Sequence, residues 1–283
     1  MTARQVIAAC RQTDALLAAD LPLTAAESSA PLLSIKGLSV RFAGIVALDN
    51  VSFDVKAGQI CGLIGPNGAG KTTLFNCLSR LYQADAGTID FAGERLLQLP
   101  RHRVARLGIG RTFQNLALFE TMSVRDNVLI GGHCRGRSGF VANALRLPIV
   151  CREERLLSER ATGLLEMLEL TAIADVQVSA LPFWTRKRVE LARALASEPK
   201  LLLLDEPAAG LDHADLGELG QLIVNIRDRL GITILLVEHH MSLVLRISDQ
   251  VVALDFGRKI ADGTPAEVQK NPDVVRAYLG GEL

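Results

Sequence analysis

Neither sign of charge is in excess in this chain: 31 Lys and Arg stand against 31 Asp and Glu, a formal net charge of zero. A general nucleic-acid binder carries a basic surplus, so no nucleic-acid partner is expected. The five cysteines (Cys10, Cys61, Cys77, Cys134 and Cys151) form no CxxC pair and no metal-ligand spacing. Their odd number and wide separation fit a reducing compartment, with Cys61 and Cys77 expected as core fillers. No apolar run reaches the length needed to cross a bilayer. Arg4, Arg11 and Asp14 interrupt any apolar stretch that a secretory signal would need near the start. The expectation is a cytosolic chain that meets a membrane only through partners. A repeat of fixed period is also missing.

What is present is a large apolar fraction, 49% of 283 residues, enough for one α/β domain or one domain with an inserted subdomain. Residues 1–31 are Ala-rich and end in a small, polar stretch. They read as a loosely attached extension, although Val6, Ile7, Cys10, Leu16 and Leu17 also fit a short amphipathic helix. From Leu32 the pattern turns to β-type runs, Leu33–Phe42 and Ala47–Val55, then a short apolar strand at Gln59–Ile64. A helix is predicted over Lys71–Leu81 and another strand over Thr88–Phe91. The stretch 115–195 is helical in character, with apolar residues at helical spacing over Leu156–Leu170. Two further apolar runs, Leu201–Leu204 and Ile232–Val237, suit strands buried on both faces of a parallel sheet.

Between the strand ending at Ile64 and the helix starting at Lys71 lies Gly65-Pro66-Asn67-Gly68-Ala69-Gly70-Lys71-Thr72-Thr73. This satisfies G-x-x-x-x-G-K-[ST] in the strand–loop–helix context that gives the motif its meaning. Gly68 and Gly70 carry no Cβ, so the backbone can turn successive N–H groups toward phosphates. The helix start faces the same anion. Lys71 supplies a charge for the β- and γ-phosphates of ATP, and the Thr72 hydroxyl is placed to ligate Mg²⁺. Downstream, Leu201-Leu-Leu-Leu-Asp205-Glu206-Pro207 carries an acidic pair to the C-terminal end of a buried strand, where ligands of α/β sheets bind. There Asp205 can hold Mg²⁺ and Glu206 can orient the attacking water.

On these residues the chain, from Leu32 onward, resembles the ATP-binding subunits of ABC transporters, and more narrowly those of branched-chain amino acid importers. The resemblance implies an α/β P-loop NTPase fold: a mainly parallel core sheet, an antiparallel β subdomain and an inserted α-helical subdomain near 115–195, together spanning 32–283. It further implies that Phe42 stacks on adenine, for which a core Phe at a strand end is the alternative. Gln114, in Arg111-Thr-Phe-Gln-Asn115, matches the family's glutamine that reaches Mg²⁺ and the attacking water. His239 matches the histidine that contacts the γ-phosphate, although its neighbour here is His240 where the family often has Asp. Gly210-Leu211-Asp212 matches the loop that lies across the dimer interface.

One segment departs from the family. Where it commonly has Leu-Ser-Gly-Gly-Gln, a signature that reaches the γ-phosphate on the partner's P-loop, this chain has Leu181-Pro182-Phe183-Trp184-Thr185. Trp184 replaces a glycine, and an indole there is expected to obstruct the approach of backbone N–H groups to phosphate. The resemblance implies ATP-driven closure of two ATPase subunits, identical or different, beneath transmembrane permease subunits at the cytoplasmic face of the membrane, with a solute-binding protein acting indirectly. The arginines and apolar residues of 133–155 resemble an insertion of the amino acid importer branch. That stretch faces either the membrane components or its own subdomain. An ATPase subunit of a lipid or lipopolysaccharide exporter shares the closing pattern Ile260-Ala-Asp-Gly-Thr-Pro265 and Tyr278-Leu-Gly. A nucleotide-binding subunit with weak hydrolysis is the third reading, kept open by Trp184.

Overall fold

The computed structural model describes residues 30–112, 116–136 and 148–279. Pro31–Leu283 forms one compact unit, to which the following applies. Its centre is a six-stranded sheet in the order β10-β9-β3-β8-β7-β6. These strands are β3 (Ile60–Ile64), β6 (Ile109–Arg111), β7 (Leu201–Asp205), β8 (Thr233–Val237), β9 (Gln250–Asp255) and β10 (Arg258–Gly263). All neighbours are parallel except the β9–β10 hairpin. A second, antiparallel sheet orders β2 (Ile45–Val55), β1 (Leu33–Phe42), β4 (Ala86–Phe91) and β5 (Glu94–Arg95) as β2-β1-β4-β5.

The short apolar runs are explained by two cores. In a strand, successive side chains point to opposite faces. Ile60, Ile64, Leu202, Leu204, Ile234 and Leu236 belong to one cluster, which also takes in the helical part of the molecule. Cys61, Leu63, Leu201, Leu203, Leu235 and Val237 belong to the other, shared with the antiparallel sheet. No face of these strands is left for water, so no alternation of polar residues appears in them. Cys61 and Cys77 fill the second core as expected, and burial pushes the Cys77 thiol up to about 11.

The helices are α1 (Lys71–Leu78), α2 (Arg101–Leu107), α3 (Val124–Gly131), α4 (Pro148–Met167), α5 (Phe183–Leu195), α6 (His213–Leu230), α7 (Met241–Ile247), α8 (Pro265–Gln269) and α9 (Pro272–Leu279). α1 stops three residues before the predicted end at Leu81. Arg80 takes a left-handed φ of +57°, and the Leu81 N–H turns back to the Asn76 carbonyl, which closes the helix. α3, α4 and α5 pack into the first core through Val124, Val128, Leu164, Leu165, Val189 and Ala192. No described helix is long and apolar enough to cross a membrane.

Candidate functional site

The P-loop leaves the C-terminal end of the central strand β3 and runs straight into α1. Its glycines are required by geometry, as Gly65 and Gly68 show. At Gly65 a Cβ would stand 2.2 Å from the Leu254 carbonyl oxygen, so the loop is pressed against β9. Gly68 has open space around it, but its φ of +79° is left-handed. Gly70 caps α1, and no side chain covers the helix's first amides. Those amides are the anion-binding end of the helix.

Lys71 is buried, with 5% of its surface exposed. Its Nζ donates to the carbonyls of Gly65 at 2.6 Å and Pro66 at 2.9 Å. Burial lowers its pKa, an effect opposed by the nearby charges of Glu206 and Asp205. The lysine and the acidic pair are therefore close enough for their charges to act on one another.

Asp205 ends β7 and is itself nearly buried. Its Oδ2 accepts from Arg111 Nη2 at 2.9 Å, and the same guanidinium donates to Asn76 and Ser79 of the P-loop helix region. Arg111 thus ties the acid to the element that follows the P-loop. Glu206 adopts a left-handed φ of +48° and donates its N–H to the Val237 carbonyl. Its Oε1 lies 2.7 Å from His239 Nε2.

Glu238 was not singled out from sequence. It is 1% exposed. Its carboxylate accepts the N–H of Ala208 at 2.7 Å and of His239 at 2.9 Å, and it contacts His240 Nδ1 at 3.1 Å. It therefore pins the segment after Glu206 to the segment that carries His239. The available signal was an acid placed directly after a buried parallel strand, as Asp205-Glu206 is.

The remaining candidate residues fall elsewhere. Phe42 ends β1, is 42% exposed, and meets Tyr82 edge-on at 5.1 Å. It is not a core Phe. Asn67 is exposed on the loop, where Ala69 is buried, and Thr72 is exposed in the first turn of α1, with Thr73 half-buried beside it. Gln114 lies outside the described residues. Among the arginines of 133–155, Arg135 points inward, donating to the carbonyls of Ser197, Glu198 and Arg106, whereas Arg152 and Arg155 are exposed. Arg137 and Arg146 lie outside the described residues.

Leu181 and Pro182 lead into α5, whose first residues are Phe183, Trp184 and Thr185. Arg186 folds back to the carbonyls of Leu181 and Ser179 and fixes this turn. Pro182 is the N-cap and no side chain bonds over the helix start. Phe183 lies against Gly210, where a Cβ would meet its ring at 3.1 Å, and beneath Lys187 Nζ at 5.7 Å. The segments Phe183–Thr185 and Gly210–Asp212 are thus neighbours. Trp184 sits in the first turn of α5, half-buried, with its side chain packed on the first hydrophobic core.

Comparison with known proteins agrees with this geometry. The family model described as "ABC transporter" matches residues 48–209. A second, described as "Branched-chain amino acid ATP-binding cassette transporter", matches residues 258–283. The high-affinity branched-chain amino acid transport ATP-binding protein BraF of Pseudomonas aeruginosa is 42% identical over 252 residues, covering 89% of this chain and 99% of its own. LivG of Escherichia coli, which carries the same description, is 43% identical with the same coverage. Among solved structures, the ADP conformation of MJ1267, an ATP-binding cassette of an ABC transporter, superposes with a TM-score of 0.77 at 31% identity, covering 89% of this chain and 99% of that one. The cbiO1 component of the Clostridium perfringens cbiONQ ABC transporter complex gives 0.73 at 29% identity, covering 89% and 96%. The chain belongs to the ATP-binding, ATP-hydrolysing subunits of ABC transporters, in the family that contains the branched-chain amino acid transport ATP-binding proteins.

Proposed function

We propose that this subunit energises import of branched-chain or related amino acids through transmembrane permease subunits that it meets at the cytoplasmic face of the membrane. The observation that carries the chemical half of this reading is the convergence of Lys71, Asp205, Glu206 and His239 at one edge of the parallel sheet. The amino acid half rests on relatives that this chain matches over nearly their full length.

ATP phosphates would lie on the amides at the start of α1, with Lys71 leaving the Gly65 and Pro66 carbonyls to meet them. Phe42, exposed at the end of β1, offers a ring for adenine. Mg²⁺ fits the donor set. One buried carboxylate, Asp205, one exposed hydroxyl, Thr72, and the phosphates themselves are the hard oxygens this ion takes. When bound, the ion neutralises phosphate charge. Glu206 accepts from and orients the attacking water, and His239 holds Glu206 while reaching toward the γ-phosphate.

Phe183–Thr185 and Gly210–Asp212 form one surface, suited to completing the site of a second ATPase subunit. The first amides of α5 lack a side-chain cap, so this helix start can still meet phosphate. Phe119, half-exposed, donates its N–H to the Asn127 side-chain oxygen and accepts from the Asn127 amide at its carbonyl; it belongs to the face that would receive the permease. The test is reconstitution with permease subunits and the cognate solute-binding protein in vesicles. Leucine, isoleucine or valine outside should stimulate ATP hydrolysis inside. Stimulation by a lipid or lipopolysaccharide, and by none of these amino acids, would replace this reading with the exporter.

A further inference from the structure

The closing pattern Tyr278-Leu-Gly is shared among transporter subunits of different cargo, and nothing above gives it a task. In the structure the Tyr278 hydroxyl accepts the N–H of Gly65 at 2.8 Å, across 213 positions of sequence. The last described helix therefore touches the first residue of the P-loop.

Three contacts fix the Gly65 peptide unit. Its N–H goes to Tyr278, its carbonyl accepts Lys71 Nζ at 2.6 Å, and its α-carbon is pressed against the Leu254 carbonyl. Gly65 is buried and lies one residue past the end of β3, whose ladder with β9 closes at Ile64 and Ala253. A buried N–H that has run out of ladder needs another acceptor, and the phenol supplies it.

The helix that brings the phenol is firmly seated. A reciprocal capping box between Thr264 and Glu267 starts α8. The Asn271 side chain accepts the Asp273 N–H at the start of α9, and Val274 is buried in the first core. Partial burial pushes the Tyr278 phenol above its ordinary pKa, so it stays a neutral hydroxyl at physiological pH.

On the function proposed above, nucleotide would draw Lys71 off the Gly65 and Pro66 carbonyls and toward phosphate. The loop then loses its internal tie, and the tie from outside remains. We propose that Tyr278 is a positioning residue of the nucleotide site. It holds the first peptide of the P-loop in place, so the C-terminal helix sets nucleotide affinity, and bound nucleotide in turn steadies that helix. This rests on the reading of Gly65–Thr73 as the phosphate loop.

The test compares ADP binding by calorimetry, and amide exchange of the peptide containing Gly65, in the full chain and in Tyr278→Phe. That change removes the hydroxyl and keeps the ring. ADP affinity should fall by up to about fivefold, the limit in which the whole worth of one hydrogen bond is felt by the nucleotide-bound loop, and Gly65 should exchange faster. In turnover assays the KM for ATP should rise while kcat is kept. Val274→Ala loosens the same helix but retains the hydroxyl, and its ADP affinity should stay nearer to wild type. Wild-type affinity and unchanged Gly65 exchange in Tyr278→Phe would overturn the proposal, as would equal losses in the two variants. If the wild-type chain binds no ADP, the phosphate-loop reading fails instead, and the exchange comparison, which needs no nucleotide, still decides the tie.

Discussion

Nε2 of His239 stands 2.7 Å from Oε1 of Glu206, joining the ends of the adjacent parallel strands β7 and β8. Glu206 holds a left-handed φ of +48°, a conformation that costs a non-glycine residue about 1–3 kcal/mol. The hydrogen bond from its N–H to Val237 and the imidazole contact hold it there. Glu206→Gln keeps the shape and removes the charge that polarises water. MgATP binding should be retained while phosphate release falls by about 100-fold or more. His239→Ala removes the imidazole contact from the carboxylate and should cost about 10- to 100-fold in turnover. Phosphate-release kinetics beside nucleotide binding separate the two steps, and a Glu206→Gln variant that still turns over normally would remove Glu206 from the mechanism.

The buried carboxylate of Glu238 serves two segments at once, through the N–H groups of Ala208 and His239. Replacing it with Ala strands the buried Ala208 donor, at about 1–3 kcal/mol for a buried group left without an acceptor, and less at His239, whose N–H is only part-buried. Glu238→Ala should lower the urea midpoint clearly. Glu238→Gln should lower it less, because the amide oxygen still accepts. Both should reduce hydrolysis more than nucleotide binding, since the P-loop is untouched. An unchanged midpoint in Glu238→Ala would show that these bonds do not hold the two segments.

Lys71 gives a pH dependence with a definite sign. Burial sets its pKa below the ordinary 10.5. As pH rises through that lowered value, the charge that meets phosphate is lost, so ADP affinity should start to fall before pH 10.5. The other groups at the loop do not mimic this. The Tyr278 phenol is shifted upward, away from this range. Folding carries the opposite sign. The folded chain releases this proton before the unfolded chain does, so the lysine's contribution to stability rises with pH between the lowered value and 10.5, and is absent below it. Titration calorimetry of ADP from pH 7 to 10.5 checks the first half, and an affinity that stays flat over that whole range would contradict it.

Local spacing carried most of what was legible beforehand. The P-loop and the acidic pair announce their chemistry within a few residues, and strands without alternation announce a sheet covered on both sides. Glu238 acquires its meaning only when Ala208, thirty positions earlier, is brought beside it. The end of α1 was hidden because Arg80, an ordinary helix former, turns left-handed in its tertiary setting. Trp184 was harder still, since the spacing says what it replaces but not where its ring goes.

That ring packs on the first hydrophobic core from the first turn of α5. Residue 184 does not share the left-handed φ seen in the P-loop glycines, so its backbone does not call for glycine. Trp184→Gly therefore removes apolar contacts and places the poorest of the ordinary helix residues in a helix. A full Trp truncation in a core costs about 3–5 kcal/mol. Half-burial reduces that, and glycine adds about 1 kcal/mol, so a net loss of about 2–3 kcal/mol is expected. In a domain of this size the thermal midpoint should drop by several degrees. Turnover decides the second question. If the indole stays on the core, its removal opens nothing toward the second subunit's phosphate, and the rate per folded subunit should be unchanged. A rate that rises in Trp184→Gly would place the indole in the path of the phosphate instead, and would direct the search to a partner ATPase with an unobstructed signature.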